Sequence, residues 1–155
     1  SKTLEEADPA ELIQLVVRRY AERVEAETRH QGGFVSDGSL LHEWVYASVR
    51  LAVGMHPAPR AELDGLVRDP YAQVIATLGP EIARRAARAY DLVVHLPIEF
   101  ELNDRVKPIS ERFRVLSDLL MLRAFADAGR TVYSVTGTVD ARLSQLADLV
   151  LAKRF

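Results

Sequence analysis

Three short apolar runs, separated by long amphipathic segments, constrain most strongly what this chain can fold into. The runs are Phe34-Val35-Ser36, Tyr90 to Pro97 and Thr131 to Val135, and each leads into turn residues. Short apolar runs that end in turns are typical of buried strands. Strands that alternate with helices of ten residues or more predict an α/β protein with a parallel sheet.

Apolar periodicity and capping signals predict the helices between these runs. The clearest of these helices extend from Asp8-Pro9 to about His30, from Leu40 to Gly54, from Pro108 or Ser110 to Asp127, and from Val139 to Leu151. Short helical stretches are predicted around 62–66 and 71–78, and Gly79-Pro80 is predicted to open a separate helix over 81–89. The last helix is expected to pack through its leucines.

The composition suits a single domain over residues 1–155, since 48% of the residues are hydrophobic. Twenty Lys and Arg against 22 Asp and Glu give a net charge of −2, so no basic field favours nucleic acid or an anionic membrane. The absence of cysteine excludes disulfides and thiolate chemistry. No apolar run approaches the roughly 20 residues of a membrane span. These features predict a cytoplasmic protein with no membrane partner.

Parallel sheets bind ligands beyond the carboxyl ends of their strands. Here that rule selects Asp37-Gly38-Ser39, the loop from Pro97 to Lys107, and Thr136-Gly137-Thr138. The carboxylate of Asp37 is placed to reach a metal ion or a metal-bound water facing phosphates. Equally, Asp37 is a residue type that caps a following helix.

The helix after Asp37 begins with residues that suit an acceptor-binding crevice. His42 and Glu43 lie on its first turn, and Trp44 follows them. The alternative is that His42 is a surface histidine and Glu43 an ordinary acidic residue at a helix N-terminus.

Four cations fall within the ten residues from Arg105 to Arg114, after a strand and at a helix start. Arginine guanidinium groups match phosphate oxygens well, so this segment is interpreted as a lid over phosphates. Arg112 and Arg114 are about 200° apart on a helix, and Arg112, nearer the loop, is the one expected to point inward. The alternative is a solvated helix start with Glu111 as a local partner.

The last strand-end turn contains Gly137, where the backbone can approach a base or a sugar closely. Arg142 lies one helical turn further on and suits a phosphate or base contact, although an exposed helix also explains it. The sequence contains no P-loop motif. The GxxxxG spacing from Gly33 to Gly38 has Ser39 where a P-loop needs Lys. His95, inside an apolar run, is interpreted as a core residue.

Four segments occur in a recognisable order, namely Phe34 to Ser39, Tyr90 to Pro97, Asp104-Arg105 with Arg112-Phe113-Arg114, and Val132 to Thr138 with Arg142. In order and spacing they resemble small P-loop ATPases and kinases, closest to the branch that contains the nicotinamide riboside kinase-like ATPase domains. The resemblance spans about residues 9 to 150. It implies a three-layer parallel sheet of P-loop NTPase type that is incomplete at the N-terminus, with residues 1–155 as the C-terminal two-thirds.

The resemblance also implies roles for individual residues. Asp37 would end the Walker B strand and contact Mg. The lid would contain Arg105, Arg112 and Arg114, and Gly137 would lie near the adenine. The implied function is ATP binding with phosphoryl transfer to a small nucleoside-like or vitamin-like acceptor, or ATP hydrolysis. The acceptor would lie near His42, Glu43 and Trp44. The alternative is a non-catalytic α/β module that acts through a partner or as a homo-oligomer.

Overall fold

The computed structural model describes residues 6–30, 32–63, 70–101 and 109–153. Five helices and two strands lie within them. In chain order they are α1 (Pro9–Thr28), α2 (His42–Val53), α3 (Pro70–Ala89), β1 (Val94–His95), α4 (Glu111–Asp127), β2 (Tyr133–Ser134) and α5 (Val139–Ala152).

Local capping interactions fix the start of three helices. The Asp8 carboxylate accepts a hydrogen bond from the Glu11 N–H, and the Glu11 carboxylate accepts one from the Asp8 N–H, both at 2.9 Å. The hydroxyls of Ser110 and Thr138 each accept one backbone N–H at the starts of α4 and α5. Such caps satisfy N–H groups that the helix itself leaves unpaired. The predicted starts of α1, α4 and α5 are therefore confirmed.

The core is built around α2, which packs against α1, α3 and α4. Its buried residues come from all four helices and from the segment before α2, and include Leu12, Val16, Leu41, Val45, Ala47, Ile75, Ala86 and Phe125. A smaller apolar cluster joins Val49 of α2 to Phe113 and Leu116 of α4. Helix-on-helix packing thus supplies most of the buried surface.

The two strands form one short parallel pair, with Val94 opposite Tyr133 and His95 opposite Ser134. The Tyr133 N–H donates to the Val93 carbonyl at 3.0 Å, and the Val135 N–H donates to the His95 carbonyl at 3.0 Å. The apolar runs predicted as strands are therefore paired over only two residues each.

The predicted three-layer parallel sheet of P-loop type is wrong, because the described chain is mostly helical with a two-stranded sheet. The run Phe34-Val35-Ser36, predicted as a buried strand, forms no strand, and the Val35 side chain is fully exposed. An apolar run becomes a strand only where a neighbouring backbone accepts its hydrogen bonds. In the described residues no strand lies beside this run.

The predicted helix break at Gly79-Pro80 is also wrong, since α3 continues through both residues. The Trp44 indole lies directly on Gly79, where an added Cβ would come within 2.2 Å of the ring atom Cζ2. The indole N–H also donates to the Ile75 carbonyl at 2.7 Å. Trp44 therefore packs closely on this part of α3, and the helix continues through Pro80 despite the cost of about 3 kcal/mol that a proline carries inside a helix.

The expectation that α5 packs through its leucines fails as well. None of its residues is buried, and it packs against no other described helix or strand. Residues with more than half of their surface exposed include Val139, Leu143, Val150 and Leu151.

The close contact at Gly79 leads to a stability prediction. We expect Gly79→Ala to lower the free energy of unfolding by about 1–3 kcal/mol, because the new methyl group overlaps the buried Trp44 ring. Urea unfolding monitored by tryptophan fluorescence measures the change. The matched control is Gly32→Ala, where an added Cβ meets no atom within 4 Å. Equal stability of the two variants would contradict the prediction.

Candidate functional site

A cavity of about 370 Å³ lies between the segment before α2, the strand β1 and the inner face of α4. Its polar lining consists of Ser36, Ser39, His42, His95, Arg114, Ser117 and Asp118. The remaining wall is mainly aliphatic and aromatic. A mostly apolar cavity of this size with a few convergent polar groups is typical of a small-molecule site.

The direction of α4 relative to β1 decides where the polar groups lie. The Arg114 guanidinium, near the start of α4, donates to the Phe100 carbonyl beyond β1 at 2.7 Å. Beyond the end of α4, Arg130 donates to the Asp91 carbonyl, which precedes β1. The helix therefore runs antiparallel to β1, with its first turns beside the carboxyl end of the strand.

One stripe of α4 lines the cavity and changes from polar to apolar along its length. Arg114, Ser117 and Asp118 occupy the first turns, and Met121 and Phe125 follow at helical spacing. The cavity thus has a polar end beside the carboxyl end of β1 and an apolar end beside its start. The strand-end rule predicts ligands at the polar end.

His95 and Asp118 form a hydrogen-bonded pair at this polar end. Asp118 Oδ1 lies 2.7 Å from His95 Nε2, and the Ser134 hydroxyl lies 3.3 Å from His95 Nδ1. Both ring nitrogens therefore have partners, which fixes the orientation of the imidazole and of the carboxylate. Sequence reasoning missed this pair, although Asp118 on the inner stripe of an amphipathic helix was a signal for it.

His42 lies on the first turn of α2, where its Nδ1 accepts a hydrogen bond from the Ser39 N–H at 2.7 Å. Gly38 lies under the ring with φ +109°, and an added Cβ would come within 3.2 Å of Cε1. Burial lowers the pKa of His42, and a contact with the Ser39 backbone offsets part of this effect. Arg23 lowers this pKa further, whereas Glu43 and Asp37 raise it.

A second polar cluster holds the segment before α2 in place. The Tyr90 hydroxyl accepts the Leu40 N–H at 2.8 Å and donates to the Glu27 carboxylate at 3.0 Å. Arg23 donates to the Ser36 hydroxyl at 2.9 Å. Burial, the largest cause, raises the pKa of Tyr90 far above its ordinary value, so the phenol stays a donor.

Asp37 is exposed and lies between two cavity-lining residues, Ser36 and Gly38. It does not cap the next helix, because the N-cap of α2 is Leu41 and no side chain bonds there. Asp37 thus supplies one exposed carboxylate next to residues that line the cavity. No three potential metal ligands cluster in the part of the chain that the structure describes.

The other predicted site residues lie away from this cavity. Glu43 pairs with Arg19 at 3.1 Å, the Trp44 side chain is buried between α2 and α3, and Arg112 Nε donates to the Ala61 carbonyl at 2.8 Å. Arg114 rather than Arg112 therefore points inward, contrary to expectation. Arg105 lies outside the described residues.

Gly137 and Arg142 meet at one carboxylate beyond the strand ends. The Gly137 N–H donates to Glu99 Oε1 at 3.1 Å, and Arg142 Nη2 lies 2.5 Å from Glu99 Oε2. Arg142, as the largest cause, and then the Gly137 N–H lower the pKa of Glu99. The two predicted nucleotide contacts are thus brought together, but around an acidic side chain of the same chain.

Comparison with protein-family models, with curated proteins and with solved structures finds no match for this chain. No described helix is long and apolar enough to cross a membrane.

The burial of His42 predicts a pH dependence of stability. The folded pKa is below the ordinary value of 6.5, so the unfolded chain binds the proton more readily. We therefore expect the free energy of unfolding to fall as the pH drops below about 6.5, and this loss to level off below the folded pKa.

Urea unfolding between about pH 7 and pH 5 measures this loss, which should be smaller in His42→Gln. His56, an exposed residue of the loop after α2, supplies the control, because His56→Gln should leave the loss unchanged. The same pH dependence in the parent chain and in His42→Gln would refute the assignment.

Proposed function

We propose that this chain binds ATP with Mg²⁺ and transfers the terminal phosphoryl group to a small nucleoside-like or vitamin-like acceptor, or to water. The observation that carries the proposal is the polar lining of the cavity, to which Arg114, His42 and the pair His95–Asp118 all contribute, with Asp37 between the lining residues Ser36 and Gly38.

Arg114 would neutralise phosphate charge. Its guanidinium is held by the Phe100 carbonyl and by Glu111 at 3.5 Å, so it is positioned before a ligand arrives. Phosphoryl transfer needs little covalent chemistry from the protein and depends on positioning and on electrostatic stabilisation. A guanidinium held in place contributes most where negative charge develops in the transition state.

Asp118 is the group best placed to orient the acceptor hydroxyl and take its proton. His95 occupies one carboxylate oxygen and has its other ring nitrogen on Ser134, so His95 positions Asp118 rather than acting as the base. Asp37 would hold Mg²⁺, which supplies charge neutralisation at the phosphates.

An assembly module is the second candidate, and the apolar surface of α5 favours it. Four large apolar side chains of this helix have more than half of their surface exposed: Val139 (73% exposed), Leu143 (59%), Val150 (56%) and Leu151 (53%). Exposed apolar faces of this kind mark interaction sites. In this function the chain would bind a partner or a second copy without chemistry.

The ATP proposal predicts metal-dependent binding. Calorimetric titration of ATP into the chain should give a higher affinity with Mg²⁺ than without it, and Asp37→Ala should reduce this difference, because the carboxylate holds the ion. Asp140→Ala, at the exposed start of α5, is the control and should leave the difference intact. The proposed role of Asp37 is rejected if the ATP affinity is the same with and without Mg²⁺ and the same in Asp37→Ala.

A substitution of Arg114 distinguishes the enzyme from the assembly module. If its guanidinium stabilises charge in the transition state, Arg114→Ala should lower kcat about 100-fold or more and change ATP affinity much less. Arg123→Ala, on the exposed side of α4, should leave turnover within about threefold of the parent chain. Equal turnover in both variants would favour the assembly module.

A further inference from the structure

The geometry points to a second binding function for the cavity: its apolar length along β1 receives an extended apolar peptide segment, which pairs with the open edge of β1 as a third strand. This inference does not depend on ATP binding. It concerns the backbone of β1 and the apolar end of the cavity, whereas the proposed phosphate contacts lie at the polar end.

The hydrogen-bond pattern of the parallel pair shows which backbone groups are open. The Val93 and His95 carbonyls face β2, since they accept from the Tyr133 and Val135 N–H groups. Backbone groups alternate in direction along a strand, so the N–H and C=O of Val94 point away from β2. In the described part of the chain these two groups have no hydrogen-bond partner.

Val94 and its neighbours line the cavity and are partly exposed, so a ligand in the cavity can reach this open edge. Alternating N–H and C=O groups along an edge are complementary to another extended backbone, which explains why exposed strand edges recruit peptides. A compact small molecule does not match this repeat.

The side chains of the strand are also consistent with binding of an apolar peptide. The segment Leu92 to Leu96 is apolar except for His95, a composition typical of strands covered on both sides. Yet every residue from Leu92 to His95 is partly exposed, and Leu96 has 54% of its surface exposed. Ser36 and Gly38 also line the cavity, next to the fully exposed Val35. The groove therefore has apolar surface left uncovered beside an unpaired backbone.

The test uses a fluorescent peptide of alternating valine and threonine with two lysines at each end, titrated into the full chain by anisotropy. Val94→Pro removes the N–H that points away from β2, replaces one apolar lining side chain by another, and leaves the bonds to β2. Proline is tolerated at a strand edge. We expect this variant to bind the peptide about tenfold more weakly or worse, since it loses a backbone hydrogen bond and part of the edge.

Ser134→Pro is the matched control. By the same alternation, the Ser134 N–H points away from β1, so its loss spares the bonds of the strand pair and leaves the Val94 N–H and C=O open, while the hydroxyl beside His95 Nδ1 is removed as well. This variant should bind the peptide like the parent chain. Circular dichroism should show unchanged helix content in both variants.

Three outcomes would overturn the inference: no anisotropy change with the parent chain, equal binding by Val94→Pro, or loss of binding in Ser134→Pro. A dimer of the parent chain that Val94→Pro dissociates in sedimentation would assign the edge to a second copy and reject the peptide. ATP binding is measured separately, so a failure here leaves the proposed phosphoryl chemistry standing, and the reverse also holds.

Discussion

Trp44 lies against Gly79 so closely that α3 has no room for a side chain at that point. This contact and the bond from the indole to the Ile75 carbonyl fix the position of α2 on α3. The helices α1 and α4 also pack on α2, and the start of α2 and the inner stripe of α4 both line the cavity. The cavity is the space left between these two surfaces and β1.

The parts of the fold that the sequence predicted well are those determined by neighbouring residues. The starts of α1, α4 and α5 follow from Asp8, Ser110 and Thr138, whose side chains bond to backbone three residues ahead. The wrong predictions depend on distant residues. The continuous helix α3 packs on the distant Trp44, and a strand at Val35 would need a neighbouring backbone that no local pattern reveals.

The predictions for the candidate site also differ in how well they succeeded. The place of His42 on the helix after Asp37 and the cluster of cations from Arg105 to Arg114 led to His42 and Arg114, which line the same cavity. The pair His95–Asp118 was missed, because 23 residues separate its members and a histidine in an apolar run is usually a core residue. Arg112 was preferred to Arg114 from its place near the loop, but the carbonyl of Ala61, distant in sequence, binds it.

The isolation of α5 has a consequence for the way this protein unfolds. The helix is attached near its start through Arg142 and Gln145, which bond to Glu99 and Thr136, and at its end through Lys153 over the Tyr133 ring. No buried side chain joins it to the four packed helices. Helices with few buried contacts open separately from the core. We therefore expect the amide protons of α5 to exchange through local opening, and those of α2 to exchange only when the whole bundle comes apart.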